Sequence, residues 1–255
     1  MGMRRRPAVV AAVVAAALAT AGLLASCGPG GDGAPGADDL RTVAPSDSGA
    51  SAATTGASAP HSYEVTGAKA LEVRNDNGRV RITVGSGPME VTETLEYGAV
   101  KPTTRHRVED GTLELVGSGC GNSRPCRVDY VVRVPAATPV TVRVGNGGVE
   151  VADVSGTIDV RTGNGSVDGT ALAARRASLT SENGTVEAAF KAAPDEVTTT
   201  SGNGGVTVTV PRGTAYDVRA RTGAGMKQVT VPTDPSSPRR ITATTGNGMV
   251  TVETD

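Results

Sequence analysis

Two cysteines, two histidines and a few charged columns are the residues of this chain with the types and spacing for chemistry. Cys120 and Cys126 flank Gly-Asn-Ser-Arg-Pro, a turn-rich tip between two strand-like runs. Such a pair reads as a disulfide closing a short loop, worth about 2–3 kcal/mol by chain entropy. A Cys-x5-Cys metal pair would need a second pair of ligands, and the sequence offers none nearby. His61 and His106 stand in polar surroundings without a neighbour to orient them as a base, so both read as solvated surface residues. No Gly-x-Ser-x-Gly elbow is present. Gly117-Ser118-Gly119-Cys120-Gly121 is followed by neither a helix nor Lys-Ser/Thr, so it is no phosphate loop. The Gly-Asn-Gly segments carry Val where calcium-binding nonapeptides place Asp, and no metal or cofactor is expected. Asn164-Gly165-Ser166 and Asn183-Gly184-Thr185 match the glycosylation acceptor pattern, but turn chemistry alone generates both. That leaves Arg143 and Arg161, with Glu150, Asp168 and Glu187, as the arrays from which a binding face could be made. They read first as a solvated, self-neutralising flank and second as a weak contact for a polyanion or glycan.

These residues sit in a chain of unusual composition. Of 255 residues, 34 are Gly, one is Phe, four are Tyr and none is Trp. That is too few aromatic anchors for an ordinary enzyme core, and it favours thin, strand-rich structure. The formal charge of -1 and the absence of a basic block exclude the usual nucleic-acid binder.

The N-terminus reads as an address. Arg4, Arg5 and Arg6 precede an apolar run from Ala8 to Leu24, which ends in Leu24-Ala25-Ser26-Cys27. A basic region, an apolar stretch and small residues before a cut describe a secretory signal. The last four residues resemble the lipobox of bacterial lipoproteins, which implies diacylglycerol on the Cys27 thiol and cleavage before it. An uncleaved anchor is the weaker rival, because the run is short of the roughly 20 residues that span a bilayer. N-myristoylation is excluded by Arg6, where that pattern needs Ser or Thr. Residues 28–60 hold Gly, Ala, Ser, Pro, Thr and Asp with almost nothing to bury, and read as a disordered tether.

The remainder is a repeat. Asn-Gly-x-Val recurs from Asn77, Asn146, Asn164, Asn183, Asn203 and Asn247, with a degenerate copy at Ala224-Gly225. From Asn146 onward the spacings are 18, 19, 20, 21 and 23 residues, a period that marks a repeat architecture. Each copy alternates apolar and polar residues on both sides of its turn, as half-buried strands do. Two architectures fit. Asn-Gly between alternating runs is a hairpin signal, and hairpins would set Arg161 opposite Asp168 and Arg143 opposite Glu150. A flattened β-solenoid instead makes Gly-Asn-Gly the corner of each coil, and stacking then enforces the constant period. The solenoid is favoured. It gives an all-β stack of about 20-residue coils over 141–255, with a capping group of strands over 61–140.

With Asn75-Asp76-Asn77-Gly78-Arg79-Val80, the Val132-Arg133-Val134-Pro135 strand and the serial Ser/Thr-Gly-Asn-Gly-x-Val coils in view, the chain from about residue 65 resembles the bacterial "putative adhesin" β-repeat family. The resemblance implies a solenoid-like surface domain, and the adhesin label by itself establishes no activity. The sequence therefore describes a non-enzymatic envelope lipoprotein. It would be held by lipid on the outer face of the bacterial cell membrane and would present a β surface to wall or surface glycan, or to another envelope protein. An envelope-stress sensing module is the alternative within that class. A polysaccharide-active β-helix enzyme is disfavoured, because the chain has little aromatic surface on which to stack sugars.

Overall fold

Alternation with period two dictates strands with one buried face. Each Val-, Ile- and Thr-rich run has one apolar edge to bury, and Asn-Gly corners turn the chain before a helix could form. The computed structural model describes residues 56–255. Its strands open with β1 (Gly56–Ala57), β2 (His61–Val65), β3 (Ala70–Asn77), β4 (Val80–Val84), β5 (Met89–Tyr97), β6 (Thr103–Glu109), β7 (Thr112–Ser118) and β8 (Cys126–Val134). Regular pairs follow, each split by an Asn-Gly corner or its Ala224 variant: β9 (Val140–Asn146) and β10 (Val149–Ala152), β11 (Ile158–Asn164) and β12 (Val167–Leu172), β13 (Arg176–Asn183) and β14 (Val186–Phe190). The last are β15 (Glu196–Asn203) and β16 (Val206–Val210), β17 (Asp217–Ala224) and β18 (Lys227–Val229), β19 (Arg240–Asn247) and β20 (Val250–Thr254).

The two strands of a pair never bond to each other. Those entering a corner form one sheet, ordered β17-β19-β15-β13-β11-β9-β3-β7-β6. Those leaving it form a second, ordered β5-β8-β4-β10-β12-β14-β16-β20-β18, with β1 and β2 both on the outer side of β5. Pairing between coils is parallel and in register, as in Val149↔Val167 and Asn164↔Asn183. This is the solenoid, and the hairpin alternative is excluded. Arg161 lies beside Arg143 and Asp168 beside Glu150, so the hairpin pairs Arg161–Asp168 and Arg143–Glu150 do not exist.

Coil order in space departs from chain order at both ends. The β3–β4 coil lies between β7–β8 and β9–β10, and β19–β20 is inserted between β15–β16 and β17–β18. The degenerate Ala224 corner is thereby moved to the end of the stack. Antiparallel strands close the other end: β5 with β1 and β2 on one sheet, and β6 on the other.

The interior is a set of side-chain columns. Val80, Val149, Val167, Val186, Val206 and Val250 follow one another in register and are all fully buried. Each contributes about 1.5–3 kcal/mol relative to an exposed side chain. The last place in that column belongs to Lys227, beside Val250 on an edge strand of only three residues. A charge in an inward place on a short edge strand opposes further edge-to-edge pairing.

The corner motif follows from stacking distance. Thr162 Oγ1 donates to the Gly147 carbonyl of the neighbouring coil at 2.8 Å, and Ser181, Ser201 and Thr245 repeat that bond at 2.8 Å. A Cβ on Gly163 would come within 2.7 Å of the Gly145 carbonyl oxygen. Gly165 adopts φ +148, where its own Cβ would strike the Gly147 carbonyl, so only glycine fits there. Between these glycines each Asn bonds its neighbour, from Asn247 through Asn203, Asn183, Asn164 and Asn146 to Asn77, at 2.8–3.1 Å.

Candidate functional site

The charged columns lie on opposite faces of the stack. Arg143 and Arg161 stand on the outer face of the entry sheet and continue into Arg74 on β3. Their row then runs through Thr180, Thr200 and Thr244. Acids in the adjacent row answer the arginines. Arg74 meets Glu72 at 2.6 Å, while Arg143 and Arg161 share Asp159 at 3.7 and 3.6 Å. On the outer face of the exit sheet, Glu150, Asp168 and Glu187 form a row of like charges in register. Glu150 is held by Arg81 at 2.7 Å and Arg79 at 3.7 Å, and Asp168 accepts from Ser166 at 2.8 Å. The two columns therefore do not neutralise each other. The ion pairs present lie within each face and are exposed, contributing at most about 1 kcal/mol apiece, and Asp168 and Glu187 have no ion-pair partner among the described residues.

Cys120 and Cys126 are joined by a disulfide. The loop they close hangs over the first corners of the ladder and forms a cleft of about 500 Å3 with Asn77 and Asn146. Arg124 and Arg127 line it, together with Asn122 and Ser123, and no carboxylate does. A second hollow of about 330 Å3 adjoins it, sharing Asn77, Arg127 and Asn146.

The capped end holds a grouping that sequence reasoning missed. His61 and His106 are both exposed, yet Tyr63 lies between them, with ring centroids 5.4 Å from the first and 4.4 Å from the second. His61 Nδ1 stands 3.7 Å from the buried Glu93 carboxylate, and the Thr104 hydroxyl donates to that carboxylate at 3.4 Å. His61, Glu93 and Tyr130 occupy one level across β2, β5 and β8. The hydroxyls of Tyr63 and Tyr130 are buried without a protein partner. Burial, reinforced by the Glu93 charge, raises both phenols above their usual range, so they stay neutral. The one signal in the sequence was Glu93 in the inward row Met89, Val91, Glu93, Leu95. No hydroxyl nucleophile is hydrogen-bonded to either imidazole among the described residues, and no three His, Cys, Asp or Glu there gather as a metal site.

Cys27 and the lipobox-like segment lie outside the described residues. Among those described, no helix is long and apolar enough to cross a membrane.

No family model and no curated protein matches this chain. Solved structures do. A protein named "putative cell adhesion protein", from Clostridium sporogenes, is similar with a TM-score of 0.50 at 16% identity, covering 77% of this chain and 99% of its own. A "putative adhesin" from Bacteroides fragilis gives a TM-score of 0.46 at 16% identity over 77% of this chain and 96% of its own. At 16% identity the likeness to the first of these establishes a shared fold alone, an all-β, solenoid-like architecture.

Proposed function

We propose that this protein is a non-enzymatic envelope lipoprotein, anchored through Cys27 and carrying a rigid β stack that presents its outer faces for binding. The packed interior carries this reading. The inward columns are filled by Val, Leu, Ile and Thr at or near zero exposure, which leaves no room for a substrate between the sheets. What remains available is surface, repeated at about 4.8 Å from coil to coil. Weak contacts multiplied along one stack, and across many copies on one membrane, gain strength by multivalency. The fold shared with a protein named "putative cell adhesion protein" supports the same reading by analogy of architecture. Incubating residues 50–255 with purified wall polymer tests it. The proposal expects polymer to be retained with its length unchanged, and reproducible shortening of any polysaccharide would overturn the non-enzymatic assignment.

A further inference from the structure

We propose that the cleft under the disulfide-closed loop binds the anionic group of a sugar-polymer residue, a carboxylate or a phosphate, with Arg124 as its principal contact. The proposal rests on the binding-module reading and locates one contact within it.

Charge distinguishes this cleft from the two charged rows. The Arg74–Arg143–Arg161 row is answered by Glu72 and Asp159, and the acidic row on the opposite face repels anions. In the cleft, Arg124 and Arg127 line the walls and no acid does. Arg127 is turned towards Glu96 and Asp129 on its own face. Arg124 has no carboxylate within ion-pair distance among the described residues, so its planar donors are available to an oxyanion.

The asparagine ladder adds a second donor. Every amide in it donates in one direction, towards Asn77, whose Oδ1 accepts from Asn146. The Asn77 Nδ2 has no acceptor among the described residues, and Asn77 lines the cleft. Bonds in such a chain polarise one another, by about 10–30% each, so the terminal N–H group is a better donor than an isolated amide. Asn122 and Ser123 supply further groups suited to sugar hydroxyls. The adjoining hollow, lined by Gly78, Arg79 and Asp129 as well as the shared residues, leaves space for the next unit of a polymer.

The loop is held before any ligand arrives. Cys120 is tied to Cys126, Ser123 N donates to the Cys120 carbonyl at 3.0 Å, and Gly98 N donates to Pro125 at 2.7 Å. A fixed loop loses little freedom on binding, which favours affinity.

Calorimetric titration of the full chain in detergent tests the proposal, with trigalacturonate, a glycerol phosphate trimer and uncharged maltotriose as probes. At least one anionic probe should bind one to one while maltotriose does not, and the one that binds identifies the anion. Arg124→Ala should weaken binding at least about tenfold, the loss of one charged hydrogen-bonding partner. Arg176→Ala, at the start of β13 and lining neither hollow, should leave it unchanged. Reduction and alkylation of Cys120 and Cys126 should also weaken it. Failure of both anionic probes, or affinity indifferent to Arg124→Ala, overturns the cleft assignment. Retention of wall polymer by the same preparation would show that the broader reading survives that failure.

Discussion

Asn247 donates its side-chain amide to Asn203 Oδ1 at 2.9 Å across 44 residues of sequence, bypassing the Ala224 corner that lies between them in the chain. The insertion of β19–β20 beside β15–β16 is what makes the ladder continuous. A degenerate copy left in chain order would have broken it, whereas at the end of the stack Ala224 interrupts nothing.

The ladder should therefore be most sensitive in its middle. Asn183 both donates to Asn164 and accepts from Asn203, while Asn247 only donates. Each net hydrogen bond is worth about 0.5–1.5 kcal/mol. Asn183→Ala should cost roughly twice what Asn247→Ala costs in urea unfolding of residues 50–255, with equal m-values. A larger loss for Asn247→Ala would show that the ladder is not the stabilising unit.

Much of this was legible in the sequence, and what was not has a physical cause. Inward and outward places follow from alternation, so Val167 inside and Arg161 outside could be read directly. Hairpin and solenoid share that alternation, so only the constant period argued that Arg161 would neighbour Arg143. Coil order was hidden because a swapped parallel coil keeps the same register. The Tyr63–His106 contact and the cleft at Asn77 join residues more than 40 apart in sequence, and no local pattern announces them.

The face assignment predicts a contrast between neighbouring coils. Val186 is fully buried, and Val186→Asp should cost several kcal/mol, because the carboxylate loses its water and finds no partner. Thr207 points outward beside Glu187, so Thr207→Asp should cost less than about 1 kcal/mol, chiefly from like-charge repulsion. Thermal unfolding of the two variants checks this, and equal effects would mean that the columns are misassigned.

Alkaline pH should loosen the capped end. Tyr63 and Tyr130 have folded pKa values raised above the ordinary 10.0. Their contribution to stability is present below about pH 10 and lost as pH rises above it, where the unfolded chain releases these protons first. Urea midpoints measured from pH 8 to 11.5 should fall at the upper end, and Tyr63→Phe should flatten the fall. Because the Tyr130 hydroxyl is buried without a protein partner, Tyr130→Phe should be neutral or stabilising at pH 7. A midpoint that stays level through pH 11.5 would contradict the burial of these phenols.

The proposed lipid anchor makes a separate prediction. Cys27→Ala should abolish incorporation of radiolabelled palmitate in a bacterial expression host and release the protein from the membrane fraction. Labelling that persists in this variant would place the lipid elsewhere.

Surface presentation is tested most directly by density. Residues 50–255 are immobilised at two densities, and the retention of purified wall polymer per protein molecule is measured at low and at high salt. A multivalent surface predicts retention per molecule that rises steeply with density and falls as salt screens its charged contacts. Retention per molecule that is equal at both densities would contradict it.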